Sequence, residues 1–525
     1  MNPAIMNPSG PLLPFLETPD SYPHRPAAVR STETHISWVF FASPFVYKVK
    51  KPVNLGFLDF STLAKRRRFC EREVDLNRRL CPEVYLGVRP IYETTRGLSF
   101  EDSSGKIIEY AVKMRELPHG WFLKDLLDKG AVGEREIDRL IARLRSFYDS
   151  EIPTPQIEGW GRPKKLKIST EENFEQVRPF VGRTVSAVAF DTIRVFTNGF
   201  YAANERLFEE RIRQERIRDC HGDLHLDHVH ITPEAVTIFD CIEFNDRFRF
   251  IDIANDLAFL AMDFDFEREH KLGALFLRHA ARELGDPGLL KLAEFYKCYR
   301  AFLRGKVESL QMKSEEHATR ARRYFQLALR YATLGSGPSL VVVMGGVATG
   351  KSTVARALGT ELSWPVFSSD SIRKSLAGVP LTKRTEPDLR RRLYSEGATE
   401  ETYQKLIAEG LGALARPGGA VLDATFSSRA KRDLLRRESG KAGVAVQWIE
   451  LQAERGAIRE RLRGRTKSAT EVSDARLEDL EMLSTRYEPP SELAHELIEV
   501  STGGALSETP AAVLSSLARR RSTAG

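Results

Sequence analysis

Gly345-Gly346-Val347-Ala348-Thr349-Gly350-Lys351-Ser352-Thr353 is the stretch on which the fold of this chain turns. Gly345, Gly350, Lys351 and Ser352 fit the pattern G-x-x-x-x-G-K-S/T. The apolar run Leu340–Met344 before it has the length of a strand, and Thr353–Leu358 after it continues as a helix. Strand, glycine loop and helix N-terminus in that order make a phosphate cradle. The glycines let the backbone curl so that successive N–H groups face phosphate oxygens, and the helix end adds positive potential. Gly345, Gly350, Lys351, Ser352 and Thr353 are therefore the expected contacts to a phosphate chain. Lys351 reaches the β- and γ-phosphates, and the Ser352 hydroxyl ligates Mg²⁺.

Outward from this loop the pattern is regular. Val341–Met344, Pro365–Ser368, Ala420–Thr425, Val444–Leu451 and Leu497–Val500 read as five buried strands separated by helical stretches. That alternation predicts an α/β domain with a doubly wound parallel sheet over residues 340–505. Gly335-Ser336-Gly337-Pro338-Ser339 reads as a linker at 335–339. Residues 506–525 are small and basic and are expected to form a flexible tail. Upstream, 1–30 reads as an irregular leader and 31–334 as a domain of its own. Within it a hairpin is expected over Ile36–Phe41 and Phe45–Lys50, and a helix from an N-cap at Ser61 to Leu80. A strand pair follows across Val84–Pro90 and Ile107–Met114. Helices are expected over Glu134–Tyr148, Phe174–Arg178 and Phe190–Ile217. Short strands and turns occupy Asp219–Phe250, and helices dominate from Ile253 to Leu334.

The candidate chemistry of the second domain lies at strand ends, where open α/β sheets bind ligands. Asp370 follows the second strand and can accept a proton from an attacking hydroxyl, although Ser369 or Asp370 can equally serve as a helix N-cap. Arg373, one turn on, can hold a substrate anion. Asp423 ends the third strand, where a carboxylate orients the water shell of Mg²⁺, or simply makes a turn. Arg459, Arg461, Arg463 and Arg465 form a dense set after the fourth strand, suited to closing over a nucleotide or to a solvated helix face. Together these residues resemble the P-loop kinases of small molecules and nucleic-acid ends, among them gluconate kinases, zeta toxins, chloramphenicol phosphotransferases and polynucleotide kinases. The resemblance covers about 338–505. It implies that Lys351 and Ser352 bind ATP and Mg²⁺, that Asp370 is the base, and that Arg461 to Arg465 is the lid.

The first domain carries Cys220-His221-Gly222-Asp223-Leu224-His225-Leu226-Asp227-His228, followed by Phe239-Asp240-Cys241-Ile242-Glu243. Asp223 and Asp240 flank a short apolar hairpin, which can set a base beside a metal-binding acid. The stretch resembles the motif H-G-D-L-H-x-x-N of aminoglycoside and choline phosphotransferases, which share the protein-kinase fold. By that resemblance Asp223 is the catalytic base, Asp240 the Mg²⁺ ligand and Asp256 a structural aspartate. The metal-binding Asn position is His228 here, and imidazole is a poor partner for Mg²⁺. Lys48 and Lys50 share a strand face. On the next helix Phe69, Glu73, Leu76 and Leu80 fall on one side, so Glu73 needs a partner. Lys48–Glu73 is the expected ion pair, matching the strand lysine and helix glutamate of kinases. No G-x-G-x-x-G loop occurs. A rival reading takes His225-Leu226-Asp227-His228 as part of a zinc hydrolase motif, with Asp223 standing where a first histidine belongs.

Composition bounds the rest. The chain has 525 residues, net charge +7 and 42% hydrophobic residues, which suits two or three globular domains. Its basic charge is scattered in short runs rather than gathered into a nucleic-acid groove. Five cysteines without a Cys-x-x-Cys pair, no secretory pattern and no membrane-spanning run point to a cytoplasmic protein with reduced thiols. The expectation is an ATP- and Mg²⁺-dependent phosphotransferase with two nucleotide-binding domains, acting on a hydroxyl of a small molecule or a nucleic-acid end. The alternative is a single P-loop kinase carrying a non-catalytic kinase-like module.

Overall fold

The computed structural model describes residues 10–381, 385–415, 418–465 and 476–523. The first sheet is antiparallel and has six strands: β1 (Arg30–Glu33), β2 (Ser37–Ala42), β3 (Phe45–Lys50), β4 (Tyr85–Thr94), β5 (Gly97–Ser99) and β6 (Lys106–Arg115), in the order β1-β2-β3-β6-β4-β5. Alternation along β3 decides what each face does. Tyr47 and Val49 join Phe40, Ile91 and Ala111 on one face, which is covered by Leu12, Leu16 and Tyr22. Val46 joins Val112 and Met114 on the other, under Cys70 and Val74 of the helix Leu63–Arg78. Lys48 and Lys50 share the Val46 parity and so face that helix.

Two expectations change here. The described part of the expected leader is ordered. Helix Leu12–Glu17 forms because Leu12 and Leu16, one turn apart, have an apolar sheet face to bury against. The N-cap is Thr62, not Ser61, and its hydroxyl accepts from the Lys65 amide at 3.3 Å.

Four short strands follow: β7 (Ile217–Asp219), β8 (Val229–Ile231), β9 (Val236–Ile238) and β10 (Phe250–Asp252). β7 pairs with β10, and β8 with β9, both antiparallel. The helix expected over Phe190–Ile217 is two, Ala187–Ala203 and Glu205–Arg213, and Ile217 already belongs to β7. The break falls at Asn204, whose side-chain amide turns back to the Phe200 carbonyl at 3.0 Å and ends the first helix. Phe174 sits in a longer helix, Pro163–Val177. The helix Ile253–Phe266 is buried along its whole length.

The second sheet is parallel, with β11 (Ser339–Met344), β12 (Val366–Ser368), β13 (Gly419–Asp423), β14 (Ala445–Gln452) and β15 (Leu497–Ser501) in the order β12-β13-β11-β14-β15. β11 is buried throughout, as a strand covered on both faces must be. This order sets the carboxyl ends of β12, β13 and β11 side by side, which gathers the loops that follow them.

The chain forms two compact units. One runs to Ile168 and resumes over Arg206–Ala293; the other combines Ser169–Glu205 with the chain from Glu294 onward. Gly335–Ser339 thus lies within the second unit. Residues 506–525 were expected to be a flexible tail, but Thr509–Ser522 is a helix with Val513, Leu514, Leu517 and Ala518 buried. It packs on the helices Ala187–Ala203 and Glu315–Thr333 and on β15. Apolar residues at i, i+1, i+4 and i+5 give it one buried face, and its basic residues lie at the end, Arg519–Arg521. No described helix is long and apolar enough to cross a membrane.

Candidate active sites

In the first unit Lys48 Nζ lies 2.9 Å from Glu73 Oε1 and 2.6 Å from Asp240 Oδ1. Lys50 Nζ lies 2.6 Å from Glu73 Oε2 and also pairs with Glu243. Lys50 and Glu73 are fully buried. Burial opposes charge on every member; it prevails at Glu243, whose pKa is raised, and is outweighed by the partners at the other four. Both lysines are held above their ordinary range, while Glu73 and Asp240 are held below theirs. The pairing of Lys48 with Glu73 is legible in the sequence. The Lys50–Glu243 arm is not, because nothing local brings residue 243 to β3.

The loop from His221 to His228 is clamped by one helix. Asp256 accepts hydrogen bonds from the amides of His221 (3.0 Å) and Gly222 (2.9 Å) and from the Tyr148 hydroxyl (3.0 Å). Two turns on, Asp263 accepts from the Leu226 amide at 2.9 Å. A spacing of seven puts both carboxylates on one side of a helix, so each end of the loop is tied to it. Asp263 is a positioning residue that the sequence reading missed, although an aspartate seven residues from Asp256, on the same side of a largely apolar helix, was the signal. Gly222 (φ +85°) passes so close to the Phe248 carbonyl that a Cβ would lie 2.7 Å from its oxygen.

Asp223 and Asp240 are brought to opposite sides of His228. Its Nδ1 lies 2.9 Å from the Asp223 backbone carbonyl and its Nε2 3.5 Å from Asp240 Oδ2. Burial, then the adjacent His225 ring, push the His228 pKa down to about 4. The family resemblance implies Mg²⁺ between Asp240 and this position. Mg²⁺ takes oxygen donors and sheds water reluctantly, so an imidazole there does not fit it. The zinc alternative gathers Asp223, His225 and His228, whose donor atoms lie within 4.8 Å of one another. However, His225 Nδ1 accepts from the Asp227 amide at 3.3 Å. A neutral ring so engaged carries its hydrogen on Nε2, the nitrogen that faces Asp223.

In the second unit Gly345 (φ +132°) passes close to β14, where a Cβ would lie 2.4 Å from the Leu451 carbonyl oxygen. Lys351 opens the helix Lys351–Leu362, and its Nζ donates to Gly346 O at 2.6 Å across the curled loop. Asp423 ends β13, almost fully buried, with the hydroxyls of Ser352 and Ser368 near its carboxylate. Burial raises its pKa, with Lys351 opposing. Hydroxyl and carboxylate oxygens side by side are donors that fit Mg²⁺. Asp370 opens the helix Ser369–Leu376 beside them, and the Tyr394 hydroxyl lies 3.4 Å from its Oδ1. Arg373, expected to hold a substrate anion, is buried. Its Nη1 donates to Leu393 O (2.7 Å) and Thr399 Oγ1 (3.2 Å), and it stacks over Tyr394, so it anchors the segment beside Asp370. Arg461 donates to Ala348 O (3.3 Å) and Thr502 O (2.6 Å), bracing the glycine loop. Arg463 is exposed on the same helix, Arg455–Arg465, and the side chain of Arg465 lies outside the described residues.

A kinase-like sheet and helix with a clamped His-Gly-Asp loop, and a parallel sheet with a glycine cradle, define a protein of two kinase-type modules. The family model described as "Phosphotransferase enzyme family" matches residues 114–295, and that described as "AAA domain" matches 340–490. Uncharacterized proteins of Mycobacterium tuberculosis (strain H37Rv) and Mycobacterium bovis are each 30% identical over 459 residues, covering 86% of this chain and 89% of their own. The chain belongs to the family of these mycobacterial proteins, with a phosphotransferase-family segment followed by a P-loop segment. Among solved structures, a gluconokinase from Sinorhizobium meliloti is 24% identical, covering 35% of this chain and 93% of its own (TM-score 0.26). The Mycobacterium tuberculosis APS kinase CysC is 17% identical, covering 34% and 97% (TM-score 0.25).

Proposed function

We propose that the chain is an ATP-dependent phosphotransferase with two nucleotide-binding modules, in which the P-loop module transfers the γ-phosphate to a hydroxyl of a small molecule or of a nucleic-acid end. The observation that carries this reading is the buried Asp423 carboxylate at the end of β13 with the Ser352 hydroxyl near it, and Asp370 at the next strand end. Lys351 swings from Gly346 O to the β- and γ-phosphates, and the loop amides hold the chain of phosphates. Ser352 and Asp423 would hold Mg²⁺, which when bound neutralises charge on the phosphate oxygens. Asp370 takes the proton of the acceptor hydroxyl as its oxygen bonds to the γ-phosphorus and the bond to the ADP oxygen breaks. Arg463, on the lid helix, supplies positive charge to that transfer. Arg373 keeps the Tyr394 segment against Asp370.

In the first module Lys48, released from Asp240, binds the α- and β-phosphates of a second nucleotide while Glu73 fixes it. Asp223 is its base. A second reading, in which this module binds but does not transfer, is favoured by His228 at the position of a Mg²⁺ ligand.

Calorimetry of ATP binding and a transfer assay over hydroxylated acceptors test both. Two nucleotide sites are expected, with Lys351→Ala removing one and its transfer. Asp223→Ala is expected to abolish the remaining transfer. Transfer unchanged in Asp223→Ala would leave the binding-module reading, and transfer unchanged in Lys351→Ala would refute the proposal.

A further inference from the structure

His228 and Asp240 leave the two ends of the β8–β9 hairpin as neighbours. The Phe239 amide donates to His228 O at 3.1 Å, extending the ladder by one step before Asp240 turns with φ +63°. An aspartate held in the left-handed region costs backbone energy that its surroundings must supply, and such positions cluster at functional sites. Here Lys48 fixes one carboxylate oxygen, Oδ1, and leaves Oδ2 toward His228.

The hydrogen bonds of His228 determine which nitrogen carries the lone pair. A carbonyl oxygen can only accept, so Nδ1, 2.9 Å from Asp223 O, must be the N–H donor. In the neutral ring Nε2 then has no hydrogen. It faces Asp240 Oδ2, itself a lone-pair donor, at 3.5 Å. Two electron-pair donors facing each other with no hydrogen between them repel unless a cation sits between. The separation is what two neighbouring ligands take around a first-row metal with bonds of about 2.0–2.2 Å. The neighbouring His225 adds no such donor, because its Nδ1 is already accepting from Asp227.

We infer that His228 Nε2 and Asp240 Oδ2 are two ligands of a borderline first-row divalent cation, of the Mn²⁺ or Zn²⁺ class, in place of Mg²⁺ in the kinase-like module. An imidazole beside a carboxylate suits these ions, whereas an asparagine oxygen at 228 would suit Mg²⁺. The departure from the family motif at residue 228 is, on this inference, a change of metal and not a loss of the site. The inference rests on nucleotide binding by the first module.

The test uses the full chain carrying Lys351→Ala, which silences the P-loop site, with Mn²⁺ and a non-hydrolysable ATP analogue. Pulsed electron paramagnetic resonance reads directly bound nitrogen as ¹⁴N modulation of the Mn²⁺ signal. Modulation is expected with His228 present and is expected to vanish in Lys351→Ala/His228→Asn. The ratio of Mn²⁺ to Mg²⁺ affinity should fall in that variant by about tenfold or more, the scale on which altering one partner of a metal site acts. The parent spectrum decides the question even if His228→Asn folds poorly, and His228→Gln serves as a second oxygen donor. Bound Mn²⁺ without ¹⁴N modulation would overturn the inference and leave the nucleotide site standing. No nucleotide-dependent Mn²⁺ binding in Lys351→Ala would overturn both.

Discussion

Removing the last helix by ending the chain at Glu508 should destabilise the second unit severely. Val513, Leu514 and Leu517 are each no more than 1% exposed. Burying a Val or Leu side chain is worth about 1.5–3 kcal/mol, so these three amount to about 5–9 kcal/mol. The helix also brings polar contacts. Arg520 donates to Glu496 O (2.6 Å) and Leu497 O (2.9 Å), and Asn204 Nδ2 donates to Ser522 O (2.9 Å). The truncation would bare the matching faces of Ala187–Ala203 and Glu315–Thr333 as well. Since a domain is stable by about 5–15 kcal/mol in all, most of the unit's stability is at stake. Guanidinium unfolding followed through Trp448, fully buried in β14, reports on this unit. The truncated chain is expected to lose its cooperative transition or shift it far toward low denaturant. Leu517→Ala in the full chain should cost about 2–5 kcal/mol, and Ala512→Ser, at an exposed site on the same helix, within about 0.5 kcal/mol. A truncated chain that unfolds within about 1 kcal/mol of the parent would refute the reasoning. It would show that the helix rests on the unit without supporting it.

Three other outcomes are expected. Asp256→Asn replaces one of two acceptor oxygens serving three buried donors, so it should cost about 1–3 kcal/mol and loosen the His221–His228 loop, seen as faster amide exchange there. Lys50→Met strands Glu243 and half of Glu73 in the core and should cost about 3–5 kcal/mol. Adding Glu243→Leu should restore at least half of that, and an additive double variant would show the pair is not coupled. In chelator, acid should destabilise the first unit. The fold lowers the His228 pKa from 6.5 to about 4, so the unfolded chain takes up the proton first as pH falls. Stability is complete above about 6.5 and declines toward about 4, by at most about 3 kcal/mol from this group. Burial of His221 acts in the same direction. Thermal unfolding across pH 4–8 should therefore slope downward into acid, less steeply in His228→Asn.

The sequence by itself determined the parallel sheet, because five apolar runs between helical stretches have one economical arrangement, and a glycine loop between strand and helix reads as a phosphate cradle without tertiary knowledge. The same holds for the Lys48–Glu73 pair, since a carboxylate on a helix's apolar face must find a cation. Four things were beyond it. The Lys50–Glu243 arm and the facing of His228 and Asp240 depend on where a hairpin lands against a sheet far off in the chain. The role of the final helix depends on an apolar face supplied by residues 187–203 and 315–333, so composition alone made the tail look loose. The commitment of Arg373 to Leu393 O is likewise decided by packing. Local periodicity and spacing are properties of neighbours along the chain, whereas which donor meets which acceptor is settled only when distant segments close on one another.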